Sequence, residues 1–270
     1  MLSLNKFKNK AFINKLFSSP FLFQLYHPLR AKLGKEDKIN IRDEVYLFHK
    51  KNIIENYGKV AVEIGAGENL AQNIFLSQWL EEQYLYDINK LINIKKINAA
   101  ISAFKMKKVE SLDNLSNYSI FYSAPCDFLK IDKIAKNKPN FFLSSSTFEH
   151  IPINDLNKLL IHLKTILSKE ATLSLHIDYS DHFSHNDSTI RRNNFLRFSN
   201  MEWKKYNTRI LYQNRLRHEH YKKLFLSNGY IIAEDQYLNY DEPPSVVNKE
   251  LLSGNDSDFF TTGRWVLKIK

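Results

Sequence analysis

The run Lys59-Val60-Ala61-Val62-Glu63-Ile64, stopped by Gly65-Ala66-Gly67, constrains the fold of this chain more than any other feature. Six mostly apolar residues ending at glycine are too short for a helix and read as a buried strand. A helical pattern follows from about Leu70 to Glu81. Strand, glycine turn and helix together make the unit of an open sheet covered on both faces. The rest of the chain repeats that alternation, without a fixed repeat period. Strands are expected at 83–87, 119–123, 140–145, 171–177, 230–234 and 264–269, and helices at 41–57, 89–103, 154–167 and 217–227. Asn40 is the expected N-cap of the first helix and Gly58 its stop. The expected class is α/β, a three-layer sandwich around a seven-stranded, mostly parallel sheet.

The turn predicts a ligand. Glycine at 65 and 67 permits a tight bend and a close approach of backbone to a bound molecule. Asp87 lies 20 residues after Gly67, at the end of the next strand, where an acid can accept from both hydroxyls of a ribose. An adenosine-containing cofactor follows from that pairing. The dinucleotide fingerprint G-x-G-x-x-G is incomplete, because Leu70 holds its last position. Glu63, two residues before the first glycine, suits an ammonium group and would repel a pyrophosphate. S-adenosylmethionine is therefore preferred over NAD or FAD.

At this point the residues resemble a family. Val62-Glu63-Ile64-Gly65-Ala66-Gly67 resembles motif I of class I S-adenosylmethionine-dependent methyltransferases, and Asp87 the acid of motif II. Ala124-Pro125-Cys126-Asp127-Phe128 is similar to the segment in which an acid meets the adenine amino group and the next side chain packs on the ring. Ser144 to Ile151 is similar to the stretch after the fourth strand, and Asn228-Gly229-Tyr230 to the start of the sixth. The resemblance covers roughly residues 40–270. It implies a Rossmann-like methyltransferase fold with an antiparallel last strand. It also implies a cofactor site of Glu63, Gly65, Ala66, Gly67, Asp87, Ile88, Asp127, Phe128, Ser145 and Ser146. Asn69 stands where many members carry a third glycine, and Asn140 where an aspartate often opens the fourth strand.

Charge is unevenly placed. The net charge is +10, yet residues 1–35 hold six lysines, one arginine and no acid, a balance of +7 that leaves +3 for the remainder. A nearly neutral remainder weakens a nucleic-acid reading. Residues 1–40 are expected to form a basic, partly flexible segment ahead of a methyltransferase domain at 41–270. Lys6, Lys8 and Lys10 among Phe7, Phe12 and Phe17 also fit peripheral contact with a membrane surface. No apolar run reaches the roughly 18–20 residues of a membrane span. A single cysteine, Cys126, excludes an internal disulfide framework and points to a reducing, cytoplasmic setting.

The acceptor side is less marked. His176, Asp178, Asp181, His182 and His185 lie within ten residues that leave the carboxyl end of the fifth strand, the ligand side of such sheets. Histidine there can act as a general base. His150 is a further base candidate, near the sulfonium by the resemblance. His150, His176, Asp178, His182 and His185 are the expected catalytic set, in proton chemistry without a metal. The alternative is a polar loop with histidines that are merely hydrogen-bonded. Arg191, Arg192, Arg197, Arg209, Arg215 and Arg217, with Phe195, Phe198, Trp203 and Tyr206, form an insertion at about 180–215 expected to cover the acceptor. Arginines among aromatics suit an acidic carbohydrate or nucleic acid.

Ser145-Ser146-Thr147-Phe148 stands where DNA amino-methylating relatives carry an Asn/Asp-Pro-Pro-aromatic segment. The expected activity is therefore O-methylation of a small-molecule or glycan hydroxyl, with surface polysaccharide assembly as the setting suggested by resemblance to bacterial methyltransferases. An RNA-binding methyltransferase, or a non-catalytic RNA-binding relative, is the second expectation.

Overall fold

A computed structural model of the chain describes residues 41–132, 134, 138–185, 187–208 and 212–270. The basic segment 1–40, the Asn40 cap and Arg209 lie outside the described residues. The first helix, α1, is Asp43–Glu55, and Asp43 and Glu44 place acids at its positive end. Strand β1 is Val60–Ile64. Helix α2 is Ala71–Leu76, shorter than its sequence pattern. It stops where the Ser77 hydroxyl donates back to the Ile74 carbonyl at 2.7 Å. Strand β2 is Glu82–Tyr86 and helix α3 is Ile94–Ala103. This helix starts five residues later than expected, because the Asn93 side chain accepts from the N–H groups of Lys95 and Lys96 and caps it there.

Strands β3 (Ile120–Ser123) and β4 (Phe141–Ser145), helix α4 (Ile153–Ile166) and strand β5 (Thr172–Asp178) fall within one residue of expectation at each end. Among its described residues the insertion contributes 3-10 turns at His182–Ser184 and Asn194–Arg197 and one α-helical turn, α5 (Asn200–Trp203), before helix α6 (His218–Ser227). Strands β6 (Tyr230–Tyr240) and β7 (Phe260–Ile269) are far longer than the sequence suggests. They pair with each other as an antiparallel ladder, so backbone hydrogen bonds carry polar stretches such as Asp235-Gln236 that have no apolar alternation.

The sheet order is β3-β2-β1-β4-β5-β7-β6. All pairings from β3 to β5 are parallel, and β7 inserts antiparallel between β5 and β6. Alternation along β1 sorts its side chains between the two helical layers. Val62 and Ile64 join the core that α4 and α6 cover with Leu156, Leu160, Leu163, Tyr221 and Phe225. Ala61 faces Ile53 of α1 and Leu76 of α2. Glu63 lies on that second face too, under α2. The Asn140 side chain, in place of the frequent aspartate, accepts from the N–H groups of Lys59 and Val60 and donates to the Tyr57 carbonyl. An aspartate could not make that last bond.

Candidate active site

The glycine turn is fixed by a close approach. Gly65 has φ +76°, and a Cβ there would lie 2.3 Å from Thr147 Oγ1. Gly67 has φ +80° and faces open space. Beneath the turn runs a buried polar chain. Ser174 Oγ meets His49 Nδ1 at 2.8 Å, and His49 Nε2 meets Ser145 Oγ at 2.8 Å. Ser145 donates to Gln72 Oε1 at 2.7 Å, and Gln72 donates to Glu63 Oε1 at 3.0 Å. Asn73 donates to the other Glu63 oxygen at 2.6 Å. Burial, opposed by these amide donors, pushes the Glu63 carboxyl up to about 8. Burial also lowers His49 to about 3 and keeps it neutral.

A cavity of about 370 Å³ opens beside the turn at the carboxyl ends of β1 and β2, lined among others by Gly65, Asp87, Ile88, Asp127, Phe128 and Thr147. Asp87 is buried and its Oδ2 has no hydrogen-bond partner. Burial raises its carboxyl to about 6, against the Tyr122 hydroxyl and the N–H groups of Gly67 and Ala66, which pull it down. An unpartnered buried carboxylate oxygen is what two ribose hydroxyls would satisfy. Asp155 adds a third acid to the wall, and neither lysine nor arginine lines it among the described residues. The cavity therefore favours a cationic ligand over a pyrophosphate.

That preference does not come from Glu63, which is engaged by two amides on the other face of the sheet. Ser145 belongs to the same buried chain, and Ser146 lines a second cavity where its hydroxyl accepts from Arg42 at 3.0 Å. Ala66 packs toward the β2–β3 core. Asp127 caps the turn after it by accepting from Leu129 N–H at 3.3 Å and pairs with Lys130. Phe128 packs edge-on against Tyr86.

The second cavity, about 1230 Å³, is polar. All five expected catalytic residues line it: His150, His176, Asp178, His182 and His185. His150 also lines the smaller cavity and so stands at their junction. Its Nδ1 lies 2.7 Å from the Tyr212 carbonyl oxygen. His150 is exposed at the cavity mouth, yet desolvation of its ring against the surrounding protein and the neighbouring His182 lower it to about 4, so it stays neutral. His176 is held neutral more strongly: burial and Arg42 lower it to about 3. Burial alone would raise Asp178, yet His182 and His185 hold its carboxyl well below the usual carboxylate range. Glu149 was not singled out in the sequence. It is fully buried against this cluster, both oxygens lack a partner, and burial pushes it well above the ordinary range.

The insertion differs from its expected role. Arg215 is buried and donates to the Phe195 and Phe198 carbonyls and to Asn200 Oδ1. Arg217, 0% exposed, donates to the carbonyls of Asp258, Tyr179 and Phe260 and to Asn193 Oδ1. Both are internal staples, since buried carbonyls need donors wherever no regular ladder supplies them. Phe195, Leu196, Phe198 and Trp203 form a small core with Phe183, Ile190 and Leu251. Of the described arginines in the insertion, Arg191 and Arg192 are those that reach the large cavity.

No family model and no curated protein sequence matches the chain. Solved structures do. An S-adenosylmethionine-dependent methyltransferase from Clostridium acetobutylicum aligns over 92% of this chain and 98% of its own, at 10% identity and a TM-score of 0.50. The chain has the class I methyltransferase fold. A magnesium protoporphyrin IX methyltransferase from Synechocystis, solved with bound S-adenosylhomocysteine, aligns over 95% and 98% at 12% identity and a TM-score of 0.46. Within the methyltransferase fold, the expected seven strands and the antiparallel β7 are both present.

Proposed function

We propose that the chain is an S-adenosylmethionine-dependent methyltransferase acting on a hydroxyl of a polar small molecule or glycan. The observation that carries this reading is the placement of His150. It joins a small acidic cavity at the glycine turn to a large polar cavity rich in histidine and carboxylate. S-adenosylmethionine would supply an electrophilic methyl group at that junction. Asp87 would accept from its ribose, Asp127 would stand by the adenine edge, and Asp155 would favour the cationic end.

The acceptor oxygen would form its bond to the methyl carbon as the carbon–sulfur bond breaks toward sulfur. The hydroxyl proton must leave at the same time. Because the Tyr212 carbonyl can only accept, His150 Nδ1 carries the ring hydrogen, and Nε2 is left with the lone pair. His150 Nε2 is thus the proposed proton acceptor. His176, Asp178, His182 and His185 shape and polarise the acceptor side, and the mixed acidic and basic rim, with Arg192 and Asp241, suits a polar, hydroxyl-rich acceptor such as a sugar. Cytoplasmic glycan assembly is the proposed setting. No helix among the described residues is long and apolar enough to cross a membrane.

The test is transfer of labelled methyl from S-adenosylmethionine to pools of carbohydrate, small-molecule and RNA acceptors. Calorimetry with S-adenosylhomocysteine runs beside it. Label in a carbohydrate or small-molecule hydroxyl supports the reading. Label in RNA alone, or no cofactor binding, overturns it.

A further inference from the structure

Three side chains on the wall of the large cavity converge on one point. Asp178 Oδ2 lies 3.2 Å from His185 Nε2 and 3.6 Å from His182 Nε2. The three ligand-capable atoms all fall within 4.8 Å of one another. We infer that Asp178, His182 and His185 bind one divalent transition-metal ion, of the zinc class, at the acceptor face of the large cavity.

Distance is the first argument. Metal–nitrogen bonds of 2.0–2.1 Å around a tetrahedral ion set neighbouring ligand atoms about 3.3–3.4 Å apart. The two measured separations straddle that value. At 3.6 Å the Asp178–His182 contact is too long for a hydrogen bond.

The second argument is independent of it. His182 is more than nine-tenths buried, and its Nε2 has no hydrogen-bond partner. Glu149 faces the same Nε2 at 3.9 Å with both carboxylate oxygens unpartnered. Buried nitrogen and oxygen atoms left without partners cost stability, and a cation between them would satisfy several at once. Glu149, His150 and His182 form a second, overlapping group of three. The Glu149 carboxyl thus lies close enough to complete the site, and a cation there would favour its ionised form.

Surrounding bonds orient the ligands. Ser180 N–H donates to Asp178 Oδ1 at 2.8 Å, which turns Oδ2 toward the histidines. Ser180 Oγ, 2.9 Å from His185 Nε2, and the Asp178–His185 pair itself are contacts the ion must displace or recruit. Two imidazoles and one carboxylate select zinc, cobalt, iron or manganese over magnesium and calcium, and they leave coordination positions open. Those positions face the cavity, where an acceptor hydroxyl would bind and lose its proton more readily. This last step rests on the function proposed above. The ion site itself does not.

The test uses the full chain, stripped with a chelator and titrated with Zn²⁺ and Co²⁺ without cofactor or acceptor. About one equivalent should bind, with the visible absorption of an imidazole-bound Co²⁺. Asp178→Asn and His182→Ala should each weaken binding about tenfold or more, with S-adenosylhomocysteine affinity retained. His185→Ala, at a half-exposed side chain, repeats the measurement should either buried variant fail to fold. Absence of binding in the wild type, or equal binding in the variants, overturns the site. Ion binding that survives while S-adenosylhomocysteine fails to bind supports the site and removes the cofactor reading alone.

Discussion

The Nδ1 atom of His150 lies 2.7 Å from the carbonyl oxygen of Tyr212. The bond fixes the ring and its tautomer, and it leaves Nε2 unprotonated at the boundary between the two cavities. His150→Ala should lower turnover about 100-fold or more, the usual span for removal of a positioned base. Affinity for S-adenosylhomocysteine should hardly change. Steady-state rates with calorimetry separate the two effects. A parallel loss of rate and cofactor affinity would show that His150 serves binding instead.

Asp87 sets a pH dependence on cofactor binding. Its carboxyl sits at about 6 in the free protein, above the ordinary 3.8. Ribose hydroxyls donating to it would favour the ionised form and lower that value in the complex. Binding below pH 6 must then release a proton. Affinity for S-adenosylhomocysteine should be flat above about pH 7 and fall by up to about tenfold per unit below pH 6. Asp87→Asn should remove this slope and weaken binding by about 1.5–3 kcal/mol at neutral pH. It should also raise the melting temperature of the free protein, because ionising a carboxyl with a raised folded pKa costs stability at neutral pH.

Gly65→Ala tests the turn. The added methyl would meet Thr147 Oγ1 at 2.3 Å at a positive φ. A loss of about 1–3 kcal/mol in denaturant unfolding is expected, together with cofactor binding too weak for calorimetry.

Two kinds of arginine should separate cleanly. Arg217→Met strands three carbonyls and the Asn193 side chain and should cost about 3 kcal/mol or more. Arg192→Ala, on the cavity rim, should change stability by no more than about 0.5 kcal/mol and raise the acceptor KM. Chemical denaturation and acceptor kinetics on the two variants distinguish a staple from a binding group.

The sequence exposes the parts of this protein that local chemistry decides. A short apolar strand, two glycines and an acid at the end of the next strand marked β1, the turn and β2, because each depends on neighbours along the chain. The β6–β7 ladder was foreshortened because an antiparallel partner, rather than side-chain alternation, defines its length. Glu63 was legible as a charge but not as a buried one. Its direction depends on pleat parity and on Gln72 and Asn73 meeting it across α2. Arg215 and Arg217 read as ligand-binding groups because a sequence does not show which carbonyls lack donors. His176, Asp178, His182 and His185 line one cavity while Asp181 turns inward, and Glu149 enters only through tertiary packing.

The polar chain beneath the glycine turn has one sense of travel. Ser145 gives its hydrogen to Gln72, so it must receive one from His49 Nε2. His49 Nδ1 must then receive from Ser174. Every donor from β5 to β1 points the same way, and the line terminates on a carboxyl that can absorb it. The layer beneath the glycine turn thus works as a ratchet of hydrogens rather than a layer of oil. Reversing any one amide or tautomer would oppose two donors or two acceptors at each neighbour in turn. Conservative exchanges such as Gln72→Glu should therefore disturb the turn more than their size suggests, although they touch no ligand.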